Sequence, residues 1–369
     1  MKPERIQLHH IRMRLKQPFA NSLTTVTERD LILVELVTAK GATGWGECVA
    51  FDSPWYTEET VQTAWHMMED FLIPRLGGEP LTHPDEVAKR FVSVRGNRMA
   101  KAALEGAVWD AYAKESGLSL ADALGGERKK IAAGVAVGAK SSLDAMLAEI
   151  QERVEDGYRR VKVKIGPGAD VAIIAAIRER FPQLPLLADA NSAYTLADID
   201  RLKALDDFDL MMIEQPLAAD DLVDHARLQR EMTTPICLDE SILSREDVRR
   251  ALELGSCRVV NVKPGRVGGL TEARQIHHLC QQHGIPLWVG GMLESGIARA
   301  HNIALASLPH VTLPGDISAS SRYWERDIID PEVSIDAGFI SVPTEPGIGF
   351  EVDQELIRHL CVRTSACRI

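Results

Sequence analysis

Five polar residues punctuate the middle of this chain at an almost constant interval, and that spacing limits its fold more than any other feature. Lys164, Asp189, Glu214, Asp239 and Lys263 each close a short apolar run, at intervals of 25, 25, 25 and 24 residues. A strand, a helix and two short turns fill such a length, and an unbroken strand–helix series predicts a parallel sheet with right-handed crossovers. Eight runs follow the pattern: IAAGVAV (131–137), RRVKVKIG (159–166), LPLLADAN (184–191), DLMMIEQP (209–216), TPICLDES (234–241), RVVNVKPG (258–265), IPLWVGGM (285–292) and VTLPGD (311–316). Eight units close into a barrel whose active site lies at the C-terminal ends of the strands. The rival is an open doubly wound sheet, but no Gly-rich phosphate fingerprint follows any strand. The reading is a closed α/β barrel over residues 127–320.

The first third is organised differently. Residues 4–15 and 30–37 read as strands, GATGWGEC (41–48) supplies turn glycines, and helical patterns follow at about 58–74, 83–93 and 98–116. Strands followed by helices predict a separate α+β unit over 1–126, ended by Gly125-Gly126 and the charged run at 127–130. Lys plus Arg is 42 against 53 for Asp plus Glu, a formal net charge of −11, which argues against a nucleic-acid partner. The six cysteines, at 48, 237, 257, 280, 361 and 367, form no close-spaced pair and read as reduced thiols. No apolar run reaches the ~18 residues needed to span a bilayer, and the N-terminus lacks a signal-peptide core. The expectation is a cytoplasmic enzyme without membrane or nucleic-acid partners.

Three of the strand ends are acidic. In a barrel Asp189, Glu214 and Asp239 converge on the mouth, where uncompensated carboxylates repel. Any one of them could instead cap the following helix. Three in register call for a hard divalent cation, and Mg²⁺ suits an all-oxygen site that leaves positions for substrate oxygens. In VKVKI, alternation puts Val161, Val163 and Ile165 on the helix-facing side and Lys162 and Lys164 inside the barrel. Lys263 enters from the opposite side of the ring. Closeness to each other and to a cation should depress a lysine pKa, which makes Lys a competent base near neutrality. A divalent ion with a positioned Lys suits removal of a proton α to a carboxylate, where the metal stabilises the enediolate.

VKVKIG, LLADANSAYT, MMIEQPL, PICLDESI, VNVKPGRVGG and WVGGMLESG together resemble the muconate-lactonising branch of the enolase superfamily. Within it the likeness is to the o-succinylbenzoate synthase and N-succinylamino acid racemase family, and it runs from PFANSLTT near the start to LPGDISAS near the end. The resemblance implies a (β/α)₇β TIM-like barrel under an α+β capping domain, with residues 321–369 returning to the cap and a lid loop at about 17–27. It implies Asp189, Glu214 and Asp239 as ligands of Mg²⁺, with Mn²⁺ able to substitute. Lys164 and Lys263 become the catalytic pair, Lys162 tunes Lys164, and Asn191 and Glu240 support the metal and Lys263. Arg266 accompanies racemase-capable members; here it either depresses Lys263 or pairs with a local acid. Gly290, Gly291 and Met292 are expected around a succinyl group, with Ser318 on the same wall. Phe19 and Leu23 are the lid's apolar points, and Phe51 and Trp55 lie near it or belong to the cap core.

The implied reaction is syn dehydration to o-succinylbenzoate in menaquinone synthesis, together with racemisation of N-succinylamino acids. The partner is a small succinylated carboxylate, and the chain is expected to form a homo-oligomer. The alternatives are a dedicated racemase, a dipeptide epimerase, a cycloisomerase, and a silent metal-binding scaffold. His9-His10 and His277-His278 are adjacent pairs that do not face one way, and they read as surface or packing residues.

Overall fold

The computed structural model describes residues 1–20 and 24–369. Seven parallel strands lie side by side in chain order: Gly134–Val137, Arg160–Lys164, Leu186–Asp189, Met212–Glu214, Ile236–Leu238, Val259–Val262 and Leu287–Val289. Val161 and Val163 are fully buried, as the alternation in VKVKI requires. Leu187, Met212, Cys237, Val259 and Trp288 form one apolar cluster. Three of the intervening helices begin at side-chain caps, Ser142, Asp221 and Ser244.

The eighth run, 311–316, is not a regular strand. It makes single bridges, Val311 to Leu287 and Gly315 to Ala133, so it closes the ring without extending the ladder. The Gly134 N–H donates to the Gly315 carbonyl at 2.8 Å, and the Asp316 N–H donates to the Val289 carbonyl at 3.0 Å. Pro314 explains the break, because it has no N–H to give to either neighbour.

The capping unit is an antiparallel sheet of Pro3–Ala20, Thr25–Thr38 and Thr43–Cys48. A fourth strand, Cys361–Arg368, pairs with the outer edge of the first, in register from Arg5 opposite Arg368 to His10 opposite Arg363, with a shift before Ile11 opposite Cys361. The helix Arg98–Ser116 lies against Thr43–Cys48. Gly44 and Gly46 permit that approach: a Cβ on either would sit 2.1 or 1.9 Å from the carbonyl oxygens of Ala107 and Ala103. His9 and His10 are buried against Glu35 and Asp30, at 3.1 and 2.6 Å. No helix among the described residues is long and apolar enough to cross a membrane.

Candidate active site

Adjacent strands carry the polar residues to one level of the ring. Lys164 pairs with Asp189 across the ladder, and Asp189 with Glu214. Both lysines of the Arg160–Lys164 strand reach Asp189, Lys164 at 2.6 Å and Lys162 at 3.1 Å. Lys162 also reaches Glu214 at 3.1 Å and Asp316 at 2.6 Å. Across the ring, the Lys263 ammonium meets Asp239 at 2.8 Å and donates to the Tyr56 hydroxyl at 3.0 Å. Asn191, in the left-handed region at φ 42°, accepts from Lys164 at 2.6 Å and donates to Glu240 at 2.9 Å.

Except for Glu214 and Glu240, these groups face a cavity between cap and barrel. Lys162, Lys164, Asp189, Asn191, Asp239 and Lys263 line its barrel side, while Phe19, Phe51, Trp55 and Tyr56 come from the cap and Gly291, Met292 and Leu293 from the loop after Leu287–Val289. Leu23 lies outside the described residues. Gly290 faces a smaller neighbouring cavity, where a Cβ would lie 2.6 Å from the Lys263 side chain. Ser318 does not line the main cavity; it is buried.

Residues 145–356 match the enolase C-terminal domain-like family, and residues 5–125 match the mandelate racemase / muconate lactonizing enzyme N-terminal domain. The chain belongs to the enolase superfamily. It is 59% identical over 355 residues to the o-succinylbenzoate synthase of Bacillus subtilis, covering 96% of this chain and 95% of that one. It is 47% identical over 349 residues to the N-succinylamino acid racemase of Thermus thermophilus, covering 95% and 94%. Among solved structures, an enolase-superfamily protein from Listeria innocua superposes with a TM-score of 0.97 at 42% identity, covering 100% of this chain and 99% of its own.

Enolase-superfamily members are typically metal-dependent, and the donor set here fits a hard divalent cation. Asp189, Glu214 and Asp239 are all-oxygen donors on consecutive strands, and the nearby Glu240 keeps one buried carboxylate oxygen without a partner. Among the described residues, no three His, Cys, Asp or Glu side chains form a closed cation cage, because Lys and Arg side chains stand between the carboxylates. Arg266 pairs with Asp239, the carboxylate that also meets Lys263. Its Nε also donates to the Ile242 carbonyl at 2.8 Å.

In this superfamily member the protein's own acids hold two of the site lysines, Lys162 and Lys263, charged. Burial disfavours charge on Lys162, but Asp316, Glu214 and Asp189 outweigh it and hold the ammonium above its ordinary value. Lys263 is likewise raised, with burial opposed by Tyr56, Glu240 and Glu214. Asp189 is held low, because Lys164 and Lys162 overcome its burial.

Two residues of this site, Asn261 and Tyr56, escape the sequence reading, and a third, Asp316, stands in it only as the single acid of LPGDISAS. Asp316 ends the VTLPGD run, so the strand-end rule that found Asp189 also points to it. Asn261, which donates to Glu214 at 2.7 Å, sits two residues before Lys263 on the same strand face. Tyr56 comes from the cap, and no local pattern marks it.

Proposed function

We propose that this chain is a cytoplasmic, Mg²⁺-dependent o-succinylbenzoate synthase that also racemises N-succinylamino acids. The observation that carries the reading is the placement of Lys164 and Lys263 on non-neighbouring strands, facing one cavity with Asp189 and Asp239. Identity to named synthases and racemases supports the substrate class.

Asp189, Glu214 and Asp239 would hold the metal, with Mn²⁺ able to replace Mg²⁺. When bound, that ion supplies Lewis-acid stabilisation of the charge that develops on the substrate carboxylate. Lys164 takes the α-proton and, in the dehydration, returns it to the departing hydroxyl on the same face. Asn191 holds Lys164 in place, and Glu240 holds Asn191. Lys162 keeps positive charge beside Lys164. In racemisation Lys263 exchanges a proton on the opposite face, with Arg266 and Tyr56 fixing its surroundings. Phe19, Phe51, Trp55, Gly291 and Met292 enclose the rest of the substrate. The unit 1–126, completed by 321–369, covers the mouth of the barrel at 127–320, and the assembly is a homo-oligomer with neither nucleic acid nor membrane as partner.

A dipeptide epimerase would need a free acid near the last barrel run to receive an α-ammonium group. Asp316 is already engaged by Lys162 and Arg160, at 2.6 and 2.7 Å, which disfavours that reading.

The test is turnover of both substrates by purified protein with Mg²⁺, with chelation as the control and α-proton exchange in D₂O as the second readout. Lys164→Ala should remove both activities by roughly 10²–10⁴-fold. Lys263→Ala should remove racemisation and spare more of the dehydration. Unimpaired exchange in both variants, or no turnover by the wild type, defeats the proposal.

A further inference from the structure

Arg29, in the second cap strand, is 1% exposed, yet among the described residues none of its hydrogen bonds reaches a carboxylate. A buried cation without an ion-pair partner costs several kcal/mol unless its donors are satisfied. Here they are spent on main-chain carbonyls from two parts of the molecule. One side of the guanidinium donates to Val49 at 2.8 Å and Ala50 at 3.2 Å, in the cap. Its Nε donates to Leu293 at 3.3 Å, in the barrel.

Both ends of this bridge border the cavity. The guanidinium carbon lies 4.0 Å from the centre of the Phe51 ring, a cation–π contact. Phe51 packs on Trp55 at 4.4 Å between ring centres, and both rings line the cavity. Leu293, also on the cavity wall, holds φ at 55°, an unfavourable conformation for a residue with a Cβ. Arg29 therefore braces a strained loop with one edge and an aromatic wall with its face. A planar five-donor fork can do both at once; an ammonium cannot.

We infer that Arg29 is a positioning residue that sets the gap between the Phe51–Trp55 wall and the Leu293 loop, and so selects the apolar side group that a substrate presents there. The inference rests on the reading that this cavity takes succinylated substrates, and it adds a residue that touches none of them.

Two variants and two readouts test it. Arg29→Met keeps the length and loses every donor, whereas Arg29→Lys keeps the charge and loses the fork. The first readout is the ratio of kcat/KM between N-succinylamino acids with a large and a small apolar side chain. It should shift about tenfold in Arg29→Met, the scale of one altered pocket wall, and less in Arg29→Lys. Phe51→Leu should shift the same ratio, and the double variant should add little further, because both changes act through one wall.

The second readout needs no turnover. Of the six tryptophans, Trp45, Trp65, Trp109, Trp288 and Trp324 are buried and only Trp55 is half-exposed, so acrylamide quenching reports chiefly on Trp55. Quenching should rise in Arg29→Met, and the rise should vanish when Trp55 is also replaced by Phe. Either readout left at its wild-type value in both Arg29 variants overturns the inference. A wild type inactive on every succinylated substrate overturns the functional reading instead, and quenching still decides whether Arg29 holds the wall.

Discussion

Lys162 touches three carboxylates, Asp189, Glu214 and Asp316, and is 4% exposed. Asp316 also holds Arg160, itself 1% exposed, so two buried cations share one carboxylate. Burial alone would raise the Asp316 pKa, but Arg160 and Lys162 draw it down to about 2. A depressed acid stabilises the fold above its unfolded pKa, and that contribution is lost as pH falls through about 2. Asp316→Asn should therefore destabilise by about 3 kcal/mol near neutrality, read as a lower denaturation midpoint, because two buried cations lose their shared partner. Adding Lys162→Met should cost less than the two single changes summed; full additivity would mean that the pair is not coupled. At this scale the chain was legible where chemistry follows a strand period. Alternation placed both lysines of VKVKI inside, but Tyr56 arrives through tertiary packing, which no local period encodes.

Among the elements, two barrel helices begin against carboxylates that belong to the cap. Glu47 accepts from the Ser295 and Ala298 N–H groups, each at 2.9 Å, at the start of Gly296–Ala306. Glu105 accepts from the Leu270 and Thr271 N–H groups at the start of Leu270–Gln282. Each is a helix N-cap supplied by another part of the fold, so docking the cap also satisfies helix-end donors. Burial nevertheless pushes both carboxyls up to about 7 against those hydrogen bonds. The folded state then holds more protons than the unfolded one between the unfolded value of ~4.3 and the folded value, so this contribution is lost as pH rises through that window. His277 and His301, held down to about 4 by burial, act oppositely below their ordinary range. The quantity to read is therefore the difference between wild type and Glu47→Gln or Glu105→Gln in melts at about pH 5 and about pH 8. The wild type should lose more stability over that interval than either variant; parallel curves would refute the assignment. The strand–helix alternation was readable because each unit is local, whereas cross-domain caps join residues that are distant in sequence. The eighth run was half-readable: its position followed the period, but Pro314 made it a clasp of single bridges.

For the whole molecule, the cavity lies between two units, one of which is completed by the last strand of the chain. Cys361–Arg368 covers the outer edge of Pro3–Ala20, the strand that also brings Phe19 to the cavity. Ending the chain after Leu360 should leave that edge unpaired, lower the melting temperature and promote self-association through the bare strand, measured by calorimetry and light scattering. An unchanged melt would show that the cap is held by its barrel contacts alone. The net charge of −11 describes the solvated shell; at the barrel mouth, acids and cations stand in near balance. The order of synthesis gives the terminal pairing a further consequence. The first strand leaves the ribosome before the barrel exists, and its partner leaves after the barrel is made. The barrel can therefore assemble beneath an unfinished cap, whose outer edge a nascent chain pairs only once Cys361–Arg368 docks.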